Sequence, residues 1–294
     1  GNCAVWRKED PARLREALTP VSGGLALAAG EQLEQATDLS TGVAVSARFA
    51  SQQVFENDRV LVACDADLYD TDPNVAALLG RSYERYGTSF VEQLRGSFSF
   101  VLWDRRERKL VAAVDGFGVN RLVYFQNDRI LVVASRLDAL VRAPGVPTEV
   151  NPHAIANFLN FGVNLAPETI FTQIRRLAPG SMLVASGQGS CVKPYWDMRY
   201  GAAGDSDEAR LSRELDEVVH QSVRANCKND NFSDVGAYLS GGTDSSTVVG
   251  MMDRLGRGAV RAFSIGFEEE RFNELGYAEI TAKKFGADHH TYLV

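Results

Sequence analysis

The stretch Tyr238-Leu239-Ser240-Gly241-Gly242-Thr243-Asp244-Ser245-Ser246 has the residue types and spacing of an anion site. It follows Asp234-Val235-Gly236-Ala237, which reads as a buried strand, and precedes Thr247-Val248-Val249-Gly250-Met251-Met252, which reads as the first turns of a helix. In that context the glycines let the backbone approach a ligand closely, successive N–H groups point at it, and the helix dipole favours negative charge. Ser240, Ser245 and Ser246 add hydroxyl donors. The Asp244 carboxylate would repel a bound phosphate unless a cation lies between them, which points to Mg²⁺. The loop lacks the Gly-Lys-Ser/Thr ending of a Walker A sequence. A tight strand–helix turn is the plainer alternative, but the full Ser-Gly-Gly-Thr-Asp-Ser-Ser string favours phosphate.

Other chemistry-bearing residues are sparse. Cys3, Cys64, Cys191 and Cys227 are far apart and show no CxxC spacing, which fits a reducing compartment and gives no zinc site. His289 and His290 are adjacent, so on a strand they would face opposite ways and make a poor metal pair. They read by default as a solvated turn element. The chain has 294 residues, room for two domains, with 45% hydrophobic and 23% charged residues, as in soluble globular proteins. No apolar run reaches the ~18 residues of a membrane span, and no signal peptide is evident. A net charge of −7 offers no general attraction for nucleic acid or an anionic membrane. A cytoplasmic protein with neither of those partners is therefore expected.

The elements that must position the loop alternate in type. Before about residue 197, strand-like runs crowd together at Val60–Ala63, Phe98–Trp103, Leu110–Val114 and Ile130–Val133. Polar residues 104–109 join two of them as a hairpin. A helix is predicted over Val75–Tyr86, stopped by Gly87. This pattern predicts an α+β layered domain. Asp197–Ser206 reads as a linker. An amphipathic helix follows, with Leu211, Leu215, Val218, Val219 and Val223 on one face. Then come the strand before the loop, the helix after it, a strand at Val260–Phe267, a helix at about Glu274–Phe285 and a last strand. Strands alternating with helices predict a parallel, doubly wound sheet, whose ligands bind at the carboxyl ends of the strands.

The loop is similar to the Ser-Gly-Gly-x-Asp-Ser loop of the ATP pyrophosphatases, and the whole chain resembles the asparagine synthetase family. Leu94–Asp104, Asp115–Tyr124, Ile170-Phe171, Ile174–Gly180, Phe263–Phe267 and Gly286–His290 match family segments in order. The resemblance implies an Ntn-hydrolase-like αββα class II glutaminase domain over residues 1–197. It implies the N-terminal part of an ATP pyrophosphatase domain (adenine nucleotide alpha hydrolase-like) over residues 206–294. It further implies that Leu239 and Ile265 contact the adenosine part of ATP and that Ser240, Gly241, Gly242, Asp244 and Ser245 form the pyrophosphate loop. Asp244 would be the Mg²⁺ ligand.

The glutaminase half departs from the family pattern. The family needs an N-terminal cysteine whose own α-amine serves as base. Cys3 follows Gly1 and Asn2, so its nitrogen is an amide, and Cys3 reads as a degenerate nucleophile or a small core residue. The family's Asn-Gly-Glu-Ile-Tyr-Asn stretch corresponds to Asp65-Ala66-Asp67-Leu68-Tyr69-Asp70. There Asp65 puts a carboxylate at the oxyanion position. The aspartate that grips the glutamine ammonium corresponds to Val75. Arg48 stands for the carboxylate-binding arginine, outside its usual sequence neighbourhood.

The resemblance therefore implies an ATP-dependent carbon–nitrogen ligase that adenylates a carboxylate, releases AMP and pyrophosphate and joins the carboxylate to an amine. The glutaminase half is expected to be inactive, as in β-lactam synthetases or lasso-peptide cyclases. The alternatives are an ordinary glutamine-hydrolysing asparagine synthetase and a non-catalytic ATP-binding or scaffold fragment. A tRNA-modifying enzyme is a weaker alternative, disfavoured by the acidic charge. The implied substrates are small-molecule or peptide carboxylates and amines, and the resemblance leaves room for a homodimer. The chain ends at Val294, after the first strands of the synthetase sheet. A truncated domain without complete synthetase turnover is expected.

Overall fold

The structure is a computed structural model that describes residues 1–8, 11–26, 28–69, 72–201, 204, 207–227 and 235–294. Asp70, Asp234 and parts of the linker expected at Asp197–Ser206 lie outside the described residues. The chain divides into two units, Gly1–Arg199 and Tyr200–Val294.

In the first unit the order is β1 (Asn2–Arg7), α1 (Leu14–Gly23), β2 (Gln32–Thr37), β3 (Thr41–Ala47), β4 (Gln52–Glu56), β5 (Val60–Leu68), α2 (Val75–Tyr86), β6 (Gly96–Asp104), β7 (Lys109–Val114) and β8 (Val123–Gln126). There follow β9 (Ile130–Ala134), α3 (Leu137–Leu140), α4 (Pro152–Phe161), β10 (Arg175–Arg176), β11 (Ser181–Ser186) and β12 (Gly189–Pro194). Two six-stranded sheets result, ordered β10-β8-β9-β1-β3-β2 and β12-β11-β7-β6-β5-β4, and their pairings are antiparallel.

Side chains from both sheets meet in one core. Ala4, Trp6, Val43, Val45 and Val133 pack with Leu61, Ala63, Val101, Trp103 and Leu183. Alternate residues face outward into two further apolar layers. Cys3, Val5, Ala44 and Val132 pack with Leu14, Leu18 and Val21 of α1. Val60, Val62, Cys64, Phe98 and Phe100 pack with Leu79 and Tyr83 of α2. Strands covered on both faces are largely apolar on both, which is why Cys3–Trp6 of β1, Val60–Cys64 of β5 and Phe100–Trp103 of β6 are unbroken hydrophobic runs although their neighbours are antiparallel. Each large side chain so buried contributes about 1.5–3 kcal/mol.

Helix α2 spans the predicted residues. Asn74 caps it, its side chain accepting from Ala77 N at 2.9 Å. Gly87, at φ +59, stops it in a conformation that strains other residues. The β6–β7 hairpin also forms as predicted, its connection held by Asp104, whose carboxylate accepts from Arg106 N (2.8 Å) and Glu107 N (2.9 Å).

The second unit contains α5 (Glu208–Asn226), β13 (Gly236–Tyr238), α6 (Thr243–Arg254), β14 (Arg261–Gly266), α7 (Leu275–Lys284) and β15 (Asp288–Leu293). The strands are parallel and lie in chain order, β13-β14-β15. Val249 and Met252 of α6 share a core with Ala278 and Ala282 of α7 and with Ala237 and Ala262 of the sheet. Both crossover helices therefore cover one face. A doubly wound sheet reverses its strand order and carries helices on both faces. Among the described residues that reversal is absent, because each new strand is added on the same side of the last. The other face is open, with Tyr238, Phe263, Ile265 and Tyr292 exposed. Helix α5 forms where the amphipathic segment was expected, but no residue of it is buried, and Leu211, Leu215 and Val218 are exposed. Amphipathic spacing marks which face is apolar without saying what covers it. Among the described residues no helix is long and apolar enough to cross a membrane.

Candidate functional site

The Ser240 loop leaves the carboxyl end of β13 and enters α6. Gly242 is the N-cap of α6 and has no side chain to cap it. The first intrahelical bond runs from Ser246 N to Gly242 O (3.0 Å), so the N–H groups of Thr243, Asp244 and Ser245 lie ahead of it. Gly241 has φ +83, and a Cβ there would meet Tyr277 Cβ at 2.5 Å and Ala278 N at 2.6 Å. Glycine is thus required twice over, by backbone angle and by the close approach of α7.

The loop hydroxyls form a small network. Ser245 Oγ donates to Gly242 O (3.2 Å) and accepts from Ser240 N (3.2 Å), and it lies 3.1 Å from Ser240 Oγ. Gly242 N donates to Ser240 Oγ at 3.4 Å. Ser240 is exposed, so an anion could replace these internal bonds. Ser246 is placed differently from expectation. Its hydroxyl lies 2.9 Å from Thr281 Oγ1 and joins α6 to α7.

Asp244 is in the first turn of α6 and exposed, and among the described residues no side chain pairs with its carboxylate. No group of three or more His, Cys, Asp or Glu side chains that could hold a metal occurs among the described residues. A lone carboxylate beside a phosphate cradle nevertheless suits Mg²⁺, which characteristically takes one or two carboxylates together with substrate phosphates and water. Beside the loop is a cavity of about 280 Å³ lined by Leu239, Phe263, Ile265, Phe272 and Leu275 among others. Leu239 is buried and Ile265 is 57% exposed, so the two residues expected to touch a nucleoside share one apolar hollow.

His289 and His290 are not a turn element. Both lie in β15, on opposite faces. His289 Nε2 is 2.7 Å from Ser264 Oγ, on the helix-covered side. His290 stacks on Phe263 on the open face, with ring centroids 5.1 Å apart. The parallel pairing of Phe263 with His290 accounts for this placement. Sequence reasoning missed Ser264, Thr281 and the role of His289. Their one signal was polarity at strand and helix positions facing an apolar core.

The first unit holds a second cavity, about 410 Å³, whose lining includes Gly1, Arg48, Asp65, Ser99, Asn120 and Arg136. Residue 1, not residue 3, reaches this cavity. A Cβ on Gly1 would lie 2.6 Å from Ser135 Oγ. Cys3 is fully buried among the apolar residues between β1 and α1, and burial pushes its thiol up to about 12. The half-buried Asp65 carboxylate accepts from Gln52 Nε2 (2.8 Å) and Ser51 Oγ (3.2 Å). Asn120 Nδ2 donates to the Asp65 carbonyl at 3.1 Å. Asn120 is presented by a loop wound around the buried Asp115. That carboxylate accepts from the N–H groups of Phe98, Phe117, Val119 and Asn120 at 3.0–3.2 Å. Arg48 is exposed, its guanidinium 5.5 Å from the Phe49 ring. Val75 is packed between β5 and α2 and does not line the cavity.

Residues 68–196 match the family model for a glutamine amidotransferase domain, and residues 214–294 match the model for asparagine synthase. The chain belongs to the asparagine synthetase family. Its similarity to a glutamine-hydrolysing asparagine synthetase candidate of Mycobacterium tuberculosis is 32% identity over 77% of this chain and 35% of that one. For asparagine synthetase [glutamine-hydrolyzing] 1 of Bacillus subtilis the identity is 27% over the same shares. For amidase chyE of Penicillium rubens it is 31%, over 71% of this chain and 33% of that protein. The chain thus spans about a third of the length of these relatives. Among solved structures, glutamine phosphoribosylpyrophosphate amidotransferase of B. subtilis aligns over 99% of this chain and 65% of its own, at TM-score 0.39 and 13% identity, a likeness too slight to carry an argument. Within the asparagine synthetase family match, the Ser240 loop falls in the synthase-matched segment and most of the Asp65 cavity's polar lining flanks or lies in the amidotransferase-matched one.

Proposed function

We propose that this protein is an asparagine synthetase-like, ATP-dependent carbon–nitrogen ligase that adenylates a carboxylate and couples it to an amine. Residues 1–197 form its Ntn-hydrolase-like, αββα glutaminase-type domain, and residues 206–294 form the first part of its ATP pyrophosphatase domain. The observation that carries this reading is the uncapped α6 N-terminus behind Gly241 and Gly242, with the exposed Asp244 carboxylate beside it.

In this reading the Thr243, Asp244 and Ser245 N–H groups and the Ser240 and Ser245 hydroxyls bind the phosphate chain of ATP. Leu239 and Ile265 hold its nucleoside in the apolar hollow. Asp244 would hold Mg²⁺, which would supply charge neutralisation for pyrophosphate. The carboxylate oxygen attacks the α-phosphorus, pyrophosphate leaves, and the amine then displaces AMP from the acyl carbon. The loop acts by binding charge that is already positioned, with no proton to move at its own atoms.

The glutaminase-type cavity is inactive in this proposal. Its support is the burial of Cys3 in an apolar layer and the carboxylate of Asp65 where an oxyanion donor would be needed. The amine then comes from a small-molecule or peptide substrate in place of glutamine. A cytoplasmic protein, with a homodimer as one arrangement, fits this role. A second reading, glutamine-hydrolysing asparagine synthetase, is favoured by the names of the bacterial relatives.

The test uses the full-length protein with Mg²⁺–ATP and a panel of carboxylates, following ATP–pyrophosphate exchange. Carboxylate-dependent exchange is expected. Nucleotide binding without exchange on any carboxylate would favour an ATP-binding scaffold, and no nucleotide binding would overturn the proposal.

A further inference from the structure

We propose that His289 is a positioning residue of the nucleotide loop, acting through the Ser264 hydroxyl on the Leu239 carbonyl. The inference deepens the nucleotide reading of the loop and rests on it. Leu239 is the buried residue immediately before Ser240, so its peptide sets where the loop begins. Its N–H still donates to the Phe263 carbonyl at 2.8 Å, continuing the sheet ladder. Its carbonyl takes a side chain instead, accepting from Ser264 Oγ at 2.5 Å.

The direction of these bonds follows from proton counting. A carbonyl oxygen can only accept, so the single hydroxyl proton of Ser264 is committed to Leu239. Ser264 Oγ also lies 2.7 Å from His289 Nε2. With its proton used, the hydroxyl can only accept there, so His289 Nε2 must carry the hydrogen. The resulting chain runs from His289 on β15 through Ser264 on β14 to the carbonyl just past the end of β13, where strand pairing stops at Tyr238. Ser264 is 6% exposed, so without the imidazole its hydroxyl would lose a partner that water cannot easily replace. Downstream, the loop is held a second time where Gly241 meets the backbone of Tyr277 and Ala278. The two anchors bracket Ser240. Together they fix its N–H and hydroxyl relative to the α6 N-terminus.

A glutamine at position 289 can place an amide donor where Nε2 lies, whereas asparagine reaches only the position of Nδ1. The test measures Mg²⁺–ATP affinity of the full-length protein by calorimetry and amide hydrogen exchange of residues 240–243 without ligand. His289→Ala and His289→Asn should weaken Mg²⁺–ATP binding about three- to tenfold and speed loop exchange, while His289→Gln stays near wild type. Ser264→Ala should give the same loss, and adding His289→Ala to it should cost nothing more. That pair decides the matter if His289→Ala alone folds poorly. Wild-type affinity and exchange in His289→Ala, no rescue by glutamine, or additive losses in the double variant would each overturn the proposal. If wild type binds no Mg²⁺–ATP but loop exchange still follows this pattern, the nucleotide reading falls and the positioning role stands.

Discussion

Cys3 and Ser240 are both potentially reactive side chains near the end of a strand, yet their surroundings are opposite. Cys3 sits inside a two-face-buried strand, its side chain packed against α1, where burial disfavours an ionised thiol more than the N-terminal ammonium favours it. Ser240 sits just past the end of a three-residue strand, exposed, with a helix N-terminus in front of it. The same contrast holds for the acids. Asp65 is half-buried and already bonded to Ser51 and Gln52, whereas among the described residues no side chain pairs with Asp244. The chemistry of a residue type is open to a ligand only where the fold leaves the group accessible to solvent.

The largest test of the contrast is glutamine hydrolysis. The full-length protein should release no glutamate from glutamine, and a glutamine-mimicking diazo-ketone should leave Cys3 unlabelled. Losing one oxyanion donor typically costs on the order of 10²–10³ in rate, and the cavity also lacks a cysteine side chain. Steady glutamate release with Cys3 labelled would erase that distinction.

Next in size is Asp244→Ala. In the full-length protein it should weaken Mg²⁺-dependent ATP binding by on the order of 100-fold, about 2.7 kcal/mol, while chelation of Mg²⁺ weakens wild type similarly. Calorimetry with and without chelator checks this, and unchanged affinity would remove Mg²⁺ from the loop.

Gly241→Ala should follow. Its Cβ would overlap the α7 backbone and its φ is unfavourable for alanine, so the loop must shift. A stability loss of about 1–3 kcal/mol in denaturant titration is expected, with weaker nucleotide binding. Cys3→Ala, by contrast, should cost only packing and leave nucleotide affinity unchanged.

Under ordinary conditions near neutral pH the buried thiols should have no such effect, and they show themselves only at alkaline pH. Burial pushes the Cys3 and Cys64 thiols up to about 12, above the unfolded value of about 8.5. A raised folded value means that the thiols' contribution to stability is complete below the unfolded value and lost as pH rises toward the folded one. The melting temperature should therefore decline between about pH 9 and 12, and the paired change Cys3→Ala with Cys64→Ala should flatten that decline. Iodoacetamide at mildly alkaline pH should modify the exposed Cys191 well before either buried thiol.

Much of this was already determined by the sequence. Helix α2 ends where its cap residues dictate, because Asn74 and Gly87 act within one turn. The strand–loop–helix order around Ser240 follows from local apolar runs broken by glycine, and the family segments are contiguous stretches. Tertiary structure alone decided the rest. Both faces of β1 are apolar, so alternation could not reveal that residue 1 reaches the cavity while Cys3 faces α1. The apolar face of α5 was legible, but its exposure was not. The direction in which successive strands add to β13 has no local signature, so the one-sided placement of α6 and α7 was invisible. The bond between Ser264 and His289 joins residues 25 apart in sequence that meet only because β14 and β15 pair in parallel. Local interactions are written in neighbouring residues, whereas register, facing and burial depend on which distant surfaces meet.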